Sequence, residues 1–472
     1  MTEAKQTFYN RKEELDELKN AYSSIAKGRA IVLYGRRRVG KTELVREFLK
    51  RAGGNRGLYL YVDVLEKKQV LESFATDIKE QLGETVSFNE WTDFFDYAYE
   101  KSIKEPFIIT IDEFQRFLET APEFITGLQR QWDERFKDSR LMLLLVGSSI
   151  GMIDKITRSQ AAPLYGRVSR SKISPFRYEG AREMLSALKE EDKIRFYAVF
   201  GGTPYYLGMA NQFANITDAI RELILKRNSV LSEEPKNLME YENFRTHARY
   251  NSIMQAIAAR KDNLKEISDY TGIKDTTLPA YLHRLRDLLD IVDVNNPVLG
   301  KTKMGKHAIT DNFFRFWHRF IFPNQSALNL DNTKQVEQQI KENIEAFVGK
   351  AFEGVVKELF IAYQNRKIQG HNISFDQLGP WWDRSGNEID IIALNSKDKT
   401  LIACEVKWSK EKTDISILNT LLNRTKLLNF SGRIVPTIVS RSGFTPECLK
   451  ELERIKGIAI DIDGLGKLFD EI

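Results

Sequence analysis

The chain has only two cysteines, Cys404 and Cys448, and five histidines in 472 residues. Two thiols build neither a disulfide framework nor, by themselves, a structural zinc site, and the histidines show no ligand spacing. Long apolar runs are also missing. The longest, Leu141 to Val146, has the length of a core strand, against the ~18 residues that a membrane span needs. The start, MTEAKQTFYNRKEEL, lacks the apolar stretch of a secretory leader. These absences predict a reduced, cytoplasmic protein with no membrane partner. There is no internal repeat and no low-complexity tract. With 42% hydrophobic and 29% charged residues, the composition is that of a folded chain rather than a disordered or fibrous one. At roughly 150 residues per domain, the length suggests about three domains. A net charge of +5 permits nucleic-acid binding without requiring it, because so mild an excess is an ordinary solvated surface.

What is present begins with alternation. Ala30 to Leu33, Leu58 to Val64, Phe107 to Ile111 and Leu141 to Val146 are short apolar or β-branched runs, with Ser171 to Ser174 a weaker fifth. Helical patterns lie between them. Strands alternating with helices predict an α/β fold over residues 1–175, its parallel sheet covered on both faces. Residues 176–240 read as helical throughout. Residues 241–310 hold a compact three-helix pattern, and 311–472 a long helix beyond Ile340, then strands and two helix–strand units. The polar stretch from Asn324 to Gln335 reads as a linker.

The first strand runs into Gly35-Arg36-Arg37-Arg38-Val39-Gly40-Lys41-Thr42, a full match to G-x-x-x-x-G-K-[ST], with a helix following from Glu43. The glycines let backbone N–H groups turn inward around phosphates. Lys41 reaches the β- and γ-phosphates, and the Thr42 hydroxyl ligates Mg²⁺. ATP and Mg²⁺ are the predicted cofactors. Phe107 to Ile111 ends in Asp112-Glu113, the expected second half of such a site. Asp112 would hold Mg²⁺ through water, and Glu113 would polarise the attacking water. After Leu141 to Val146, Ser148 is positioned to contact the γ-phosphate or that water, although Ser148 and Ser149 also suit helix capping. Arg167 is either a phosphate-sensing arginine or an ordinary surface group.

Phe8-Tyr9-Asn10-Arg11-Lys12-Glu13-Glu14-Leu15 resembles the element preceding the phosphate loop in signal-transduction ATPases. Gly202-Thr203-Pro204 resembles the Gly-x-Pro element after their core. Together with the Arg-rich loop and Asp112-Glu113-Phe114-Gln115, residues 6 to 235 resemble the archaeal-type ATPase family. The resemblance implies an AAA-related fold with a helical lid over 176–240. It places Asn10 and Arg11 near the nucleotide and Pro204 in the lid. Pro204 equally suits the start of a helix.

In the middle segment, Ser252 to Ala259 and Leu264 to Tyr270 precede Thr271-Gly272-Ile273 and a further helix holding Leu278, Leu282, Leu285 and Leu289. Helix, glycine turn, helix is a helix-turn-helix pattern, and Ile291 to Ile309 would form a two-stranded wing. Lys274, Thr276, Thr277, Arg284 and Arg286 remain for the outer face. That face either enters a DNA major groove or packs on protein, since Asp275, Asp287 and Asp290 dilute its charge. DNA is thus the expected partner; a protein partner or a second copy of the chain stays open.

The aromatic run Phe313-Phe314-Arg315-Phe316-Trp317 has helical spacing and reads as core. It also resembles the start of a C-terminal domain of unknown function that accompanies archaeal-type ATPases. Further on, Trp381 to Ala393 reads as a strand after a turn and Leu401 to Trp408 as the next, with Asn395 to Lys399 the loop between them. Residues i and i+2 share a face, so Glu405 and Lys407 point together, and Asp390 could meet them. Two carboxylates and a lysine can bind Mg²⁺ and generate hydroxide; Glu353 on the preceding helix could add a third carboxylate. This set resembles the PD-(D/E)xK nuclease superfamily over residues 340 to 465, with Ile389 where proline would stand. The resemblance makes Asp390 and Glu405 metal ligands, Lys407 the water-activating or charge-stabilising group, and Glu353 an auxiliary ligand. A buried Asp–Lys–Glu network in an inert nuclease fold is the alternative. The expected fold class is therefore an α/β phosphate-loop ATPase core with a helical lid, a winged helix-turn-helix, and a C-terminal α/β restriction-endonuclease-like domain.

Overall fold

Apolar residues alternate between two faces along the central strands of the N-terminal sheet, and this alternation dictates its layers. In the computed structural model, which describes residues 8–52, 56–242, 244, 246–299 and 305–472, five parallel strands form that sheet. They are β1 (Arg29–Tyr34), β2 (Gly57–Tyr61), β3 (Phe107–Asp112), β4 (Leu141–Gly147) and β5 (Ser169–Lys172), in the order β2-β3-β4-β1-β5. Val32, Ile109, Ile111, Leu143 and Leu145 face one core, with Phe74, Phe95 and Phe124 of the covering helices. Leu33, Ile108, Met142, Leu144 and Val146 face the other, with Leu15, Leu44 and Phe48. A parallel sheet buried on both faces explains why β3 and β4 are apolar almost without break. The order places β1 and β3 on either side of β4. The loops after these three strands thus meet at one carboxyl edge.

The described residues divide into two compact units. The first runs to Pro175 and includes Tyr241 and Glu242. The second comprises Phe176–Glu240 and the chain from Phe244 to Ile472.

Within the second unit, short helices occupy the segment after Pro175, among them Tyr178–Met184, Glu190–Phe200 and Pro204–Ala210. Helices His247–Ala258, Leu264–Thr271 and Leu278–Asp287 follow, then the antiparallel pair β6 (Val292–Asn295) and β7 (Lys306–Ile309). Leu278, Leu282, Leu285 and Leu289 are buried, as helical spacing requires. The expected wing includes 300–304, which lie outside the described residues. After β8 (Arg366–Ile368) and β9 (His371–Ile373), a mixed sheet has the order β10 (Gln377–Trp382), β11 (Glu388–Asn395), β12 (Thr400–Lys407), β13 (Arg433–Ser440) and β14 (Ile458–Asp461). The first two pairings are antiparallel and the last two parallel.

One feature departs from the sequence reading. The stretch expected as a linker is helical: Gln325–Asn329 is a helix, and Thr333–Ala362 is a single helix of 30 residues that starts inside it. Asn324, whose amide donates to Phe320 O at 2.9 Å and to Gln339 at 2.7 Å, fastens the polar stretch to the elements on either side. Charged residues of helix Glu190–Phe200 are paired. Arg195 pairs with Glu345, and Arg441 bridges Glu345 and Glu191 at 2.6 and 2.5 Å. Trp408, directly after β12, donates to Glu345 at 2.8 Å with the Arg441 guanidinium 4.9 Å from its ring. The helical segment and the C-terminal sheet are thereby joined in one unit.

Candidate functional site

The phosphate loop is shaped by its glycines. A Cβ on Gly35 would lie 2.1 Å from Ile173 O, so no larger residue fits there. Gly40 has φ 89°, which favours glycine. Helix Lys41–Ala52 then begins, with Leu44 N donating to Gly40 O. Lys41 is buried. Its Nζ donates to Gly35 O and Arg36 O, both at 2.8 Å. Burial pulls its pKa down to about 8, against the opposing pull of Glu113 and Asp112. Of the remaining loop residues, Arg36 is buried, Arg38 takes φ 68°, and Arg37 sits 4.7 Å over the Tyr241 ring. Buried Val39 offers its carbonyl to Arg11 at 2.9 Å.

The loops after β3 and β4 complete the cluster. Asp112 Oδ2 accepts from Thr42 Oγ1 and from Tyr59 OH, both at 2.7 Å. Glu113, at φ 57°, accepts from Ser148 Oγ at 2.7 Å, Gln115 Nε2 at 2.7 Å and Tyr241 OH at 3.0 Å. Ser149 caps helix Ile150–Thr157 and donates to Glu242 at 2.9 Å. The hydroxyl beside the Asp112 carboxylate is the donor set a Mg²⁺ shell uses, and the buried ammonium and glycine-shaped loop suit a triphosphate. These residues fit ATP and Mg²⁺.

A second cluster lies on the C-terminal sheet. Asp390 on β11 accepts from Val406 N at 2.8 Å. Burial, with Glu353 and Glu405 nearby, raises its carboxyl well above the usual carboxylate range. Glu405 on β12 is buried between two cations: Lys407 Nζ at 2.7 Å and Arg424 at 3.2 Å. Glu353 pairs with Lys350 at 2.5 Å. Among the described residues, no group of three or more His, Cys, Asp or Glu side chains is arranged to hold a metal ion. As placed, Glu405 is paired with Lys407 and Arg424, and Glu353 with Lys350.

Residues 8–210 match the model of a family described as an ATPase domain predominantly from Archaea. An uncharacterized protein of Methanocaldococcus jannaschii is 32% identical over 426 residues, which are 89% of this chain and 92% of that one. The chain belongs to this archaeal ATPase family. Residues 317–417 match a second model, described as archaeal and bacterial proteins of unknown function. The Walker-type ATPase of Pyrococcus abyssi shares the fold at a TM-score of 0.51 and 18% identity, over 66% of this chain and 96% of that one.

In this member of the family, one cluster unites Gly35 to Thr42, Asp112, Glu113 and Ser148. Arg11 reaches it indirectly, and the neighbouring Asn10 accepts from Arg11 N at 2.6 Å. Both are left-handed, and Arg11 donates to Val39 O and to Ser174 O at 2.6 Å, bracing the loop through its backbone. Arg167 is placed differently. Its partners among the described residues are Asp133, at 2.8 and 2.7 Å, and the carbonyls of Pro163 and Tyr165, none of them in the cluster. Pro204 opens helix Pro204–Ala210 in the second unit, as a helix-initiating proline does. Sequence reasoning missed Tyr59, Tyr241, Glu242 and Arg424. Only Tyr59 carried a signal, because it lies on a strand next to the one ending in Asp112. Among the described residues, no helix is long and apolar enough to cross a membrane.

Proposed function

We propose that the chain is an ATP-hydrolysing switch that couples nucleotide state to DNA binding by its winged helix. The observation that carries this reading is the convergence of Lys41, Thr42, Asp112, Glu113 and Ser148 at one sheet edge. The backbone N–H groups of the loop and Lys41 bind the phosphates, and Glu113 takes a proton from the attacking water. The water oxygen bonds to the γ-phosphorus while the bond to the β–γ bridging oxygen breaks. Mg²⁺ at Thr42 and Asp112 would neutralise charge on the β- and γ-phosphates. Lys41→Ala should abolish turnover, with Glu113→Gln retaining binding while losing hydrolysis. Wild-type turnover unchanged in Lys41→Ala refutes the reading.

DNA binding is supported by the exposed Lys274, Thr276 and Thr277, just before helix Leu278–Asp287, and by exposed Arg284 on it. Affinity for duplex DNA that falls steeply with salt, and weakens in Lys274→Ala, supports this part; no affinity at low salt removes it. For the C-terminal domain, the neutralisation of Glu405 by Lys407 and Arg424 favours an inert nuclease fold that binds and does not cut. Metal-dependent cleavage remains the second reading, motivated by Asp390, Glu405 and Lys407 on adjacent strands. Incubating DNA with Mg²⁺ or Mn²⁺, with and without ATP, decides between them. Cleavage lost in both Asp390→Ala and Lys407→Ala establishes a nuclease. A protein partner or self-association is part of this proposal as the receiver of the switch, testable by sizing with ATP and ADP.

A further inference from the structure

Tyr241 and Glu242 stand out by chain position. They belong to the first unit, although the chain on either side of them, up to Glu240 and from Phe244, belongs to the second. Tyr241 lies 128 positions from Glu113 and yet bonds to it. Its hydroxyl donates to Glu113 at 3.0 Å, lies 2.5 Å from Ser148 Oγ, and accepts from Gln115 Nε2 at 3.1 Å. The Arg37 guanidinium covers its ring. Glu242, also buried, accepts from Ser149 Oγ and from the N–H groups of Ile150 and Gly151. Its Oε1 has no hydrogen-bond partner among the described residues.

We propose that this pair is a latch on the nucleotide site, with Tyr241 a positioning residue that restrains Glu113 and Glu242 a carboxylate that opposes the incoming phosphates. The proposal rests on the reading of Glu113 as the water-activating group and Lys41 as the phosphate ligand. A carboxylate offers about four lone-pair positions. Gln115, Ser148 and Tyr241 already donate to Glu113, so little acceptor capacity is left to align a water. Gln115 and Ser148 come from the core itself. Tyr241 is the donor brought in from elsewhere in the chain, and therefore the one that a movement of the chain can withdraw.

Glu242 acts on binding. It lies within electrostatic reach of Lys41, in a seat formed by a hydroxyl and two helix-start N–H groups. That seat suits an anion. A triphosphate arriving at Lys41 meets a carboxylate already there, so nucleotide and Glu242 disfavour each other. Burial pushes the Glu242 pKa up to about 7, as expected for a carboxylate that pays with desolvation for its place. Tyr241 ends helix Glu234–Tyr241, so displacement of Glu242 by nucleotide pulls on an element whose other residues belong to the second unit. The latch is thus a physical route from nucleotide binding to the rest of the chain.

The test is steady-state ATP hydrolysis by the full chain with Mg²⁺, comparing wild type with Tyr241→Phe, Glu242→Gln and Lys41→Ala. Tyr241→Phe keeps the ring and removes the donor. It should raise kcat about fivefold with KM within about twofold of wild type, the size expected from releasing one hydrogen bond to the base. Glu242→Gln should lower KM about threefold or more with kcat little changed. A merely structural role predicts instead a lower kcat and a lower Tm in both. Tyr241→Phe with kcat at or below wild type, or Glu242→Gln with KM unchanged or raised, overturns the latch. If wild type does not exceed Lys41→Ala but Tyr241→Phe does, the latch is supported in its strongest form. If neither exceeds Lys41→Ala, the hydrolysis reading itself fails and the latch with it.

Discussion

Replacing Arg11 with alanine should loosen the phosphate loop without touching a loop residue. The Arg11 side chain is 7% exposed, and its guanidinium donates to Glu14 at 2.7 Å, to Val39 O at 2.9 Å and to Ser174 O at 2.6 Å. Two of these acceptors are backbone carbonyls, one inside the loop and one in the segment after β5. Hydrogen bonds from a charged donor contribute ~1.5–3 kcal/mol each, so the two carbonyl bonds together are worth ~3–6 kcal/mol. The Glu14 pair, between neighbours on one helical turn, adds only a few tenths. Taking the low end, Arg11→Ala should lower the opening free energy of residues 35–42 by about 3 kcal/mol, which is about a hundredfold in the opening constant. Hydrogen exchange followed by mass spectrometry reads this on the peptide that contains the loop. Lysine reaches one acceptor where the fork reaches several, so Arg11→Lys should fall between, at about tenfold. Unchanged exchange in the loop peptide of Arg11→Ala would refute the bracing role, whatever happens to the melting temperature.

Two further predictions concern the second unit. Glu358 on helix Thr333–Ala362 accepts from Tyr178 N at 2.5 Å and Tyr197 OH at 3.0 Å, and burial pushes its pKa up to about 7. The folded state therefore binds more protons than the unfolded chain between the free glutamate value of ~4.5 and 7, and stability falls as pH rises through that window. Glu358→Gln keeps an acceptor and removes the titration, so the difference in Tm between pH 5.5 and pH 8 should shrink; an unchanged difference counts against it. Arg441→Ala removes one of the two cations that Glu345 and Glu191 share, Arg195 being the other, and should lower stability by about 1–2 kcal/mol in a chemical melt, with an effect below about 0.5 kcal/mol counting against the junction.

The legible part of this molecule was the part whose chemistry is contiguous. Gly35 to Thr42 carries its own turn, its own cation and its own hydroxyl, so eight residues sufficed to place a phosphate site. The strands on either side were legible because burial on both faces leaves an almost unbroken apolar run, as in Leu141 to Val146. Between Ser148 and Ser149, by contrast, pattern could not choose. Both can cap, and only the exit geometry of β4 gives Ser149 to the helix and Ser148 to Glu113. Arg195 and Arg441 were invisible for a different reason. A charged residue on a helix or after a strand looks like a solvated group until the element that supplies its carboxylates is known, and Glu345 lies 150 positions from Arg195.

The strand pair at Asp390 and Glu405 shows how far periodicity goes and where it stops. Period two correctly puts Glu405 and Lys407 on one face, and the pairing Ile391↔Cys404 brings Asp390 alongside. A shared face, however, is compatible with two chemistries. The side chains can converge on an outside ligand, or they can neutralise each other. Which occurs depends on the charge balance around Glu405, and Arg424 decides that balance from the helix after β12. With one cation, Glu405 would keep an oxygen for a metal. With two, both of its oxygens have partners, and a metal competes with the arginine for them. Arg424→Ala should therefore strengthen Mn²⁺ binding at this cluster while Asp390→Ala abolishes it. Calorimetric titration of both variants measures this directly. Equal, absent binding in wild type and Arg424→Ala would mean that this cluster holds no metal.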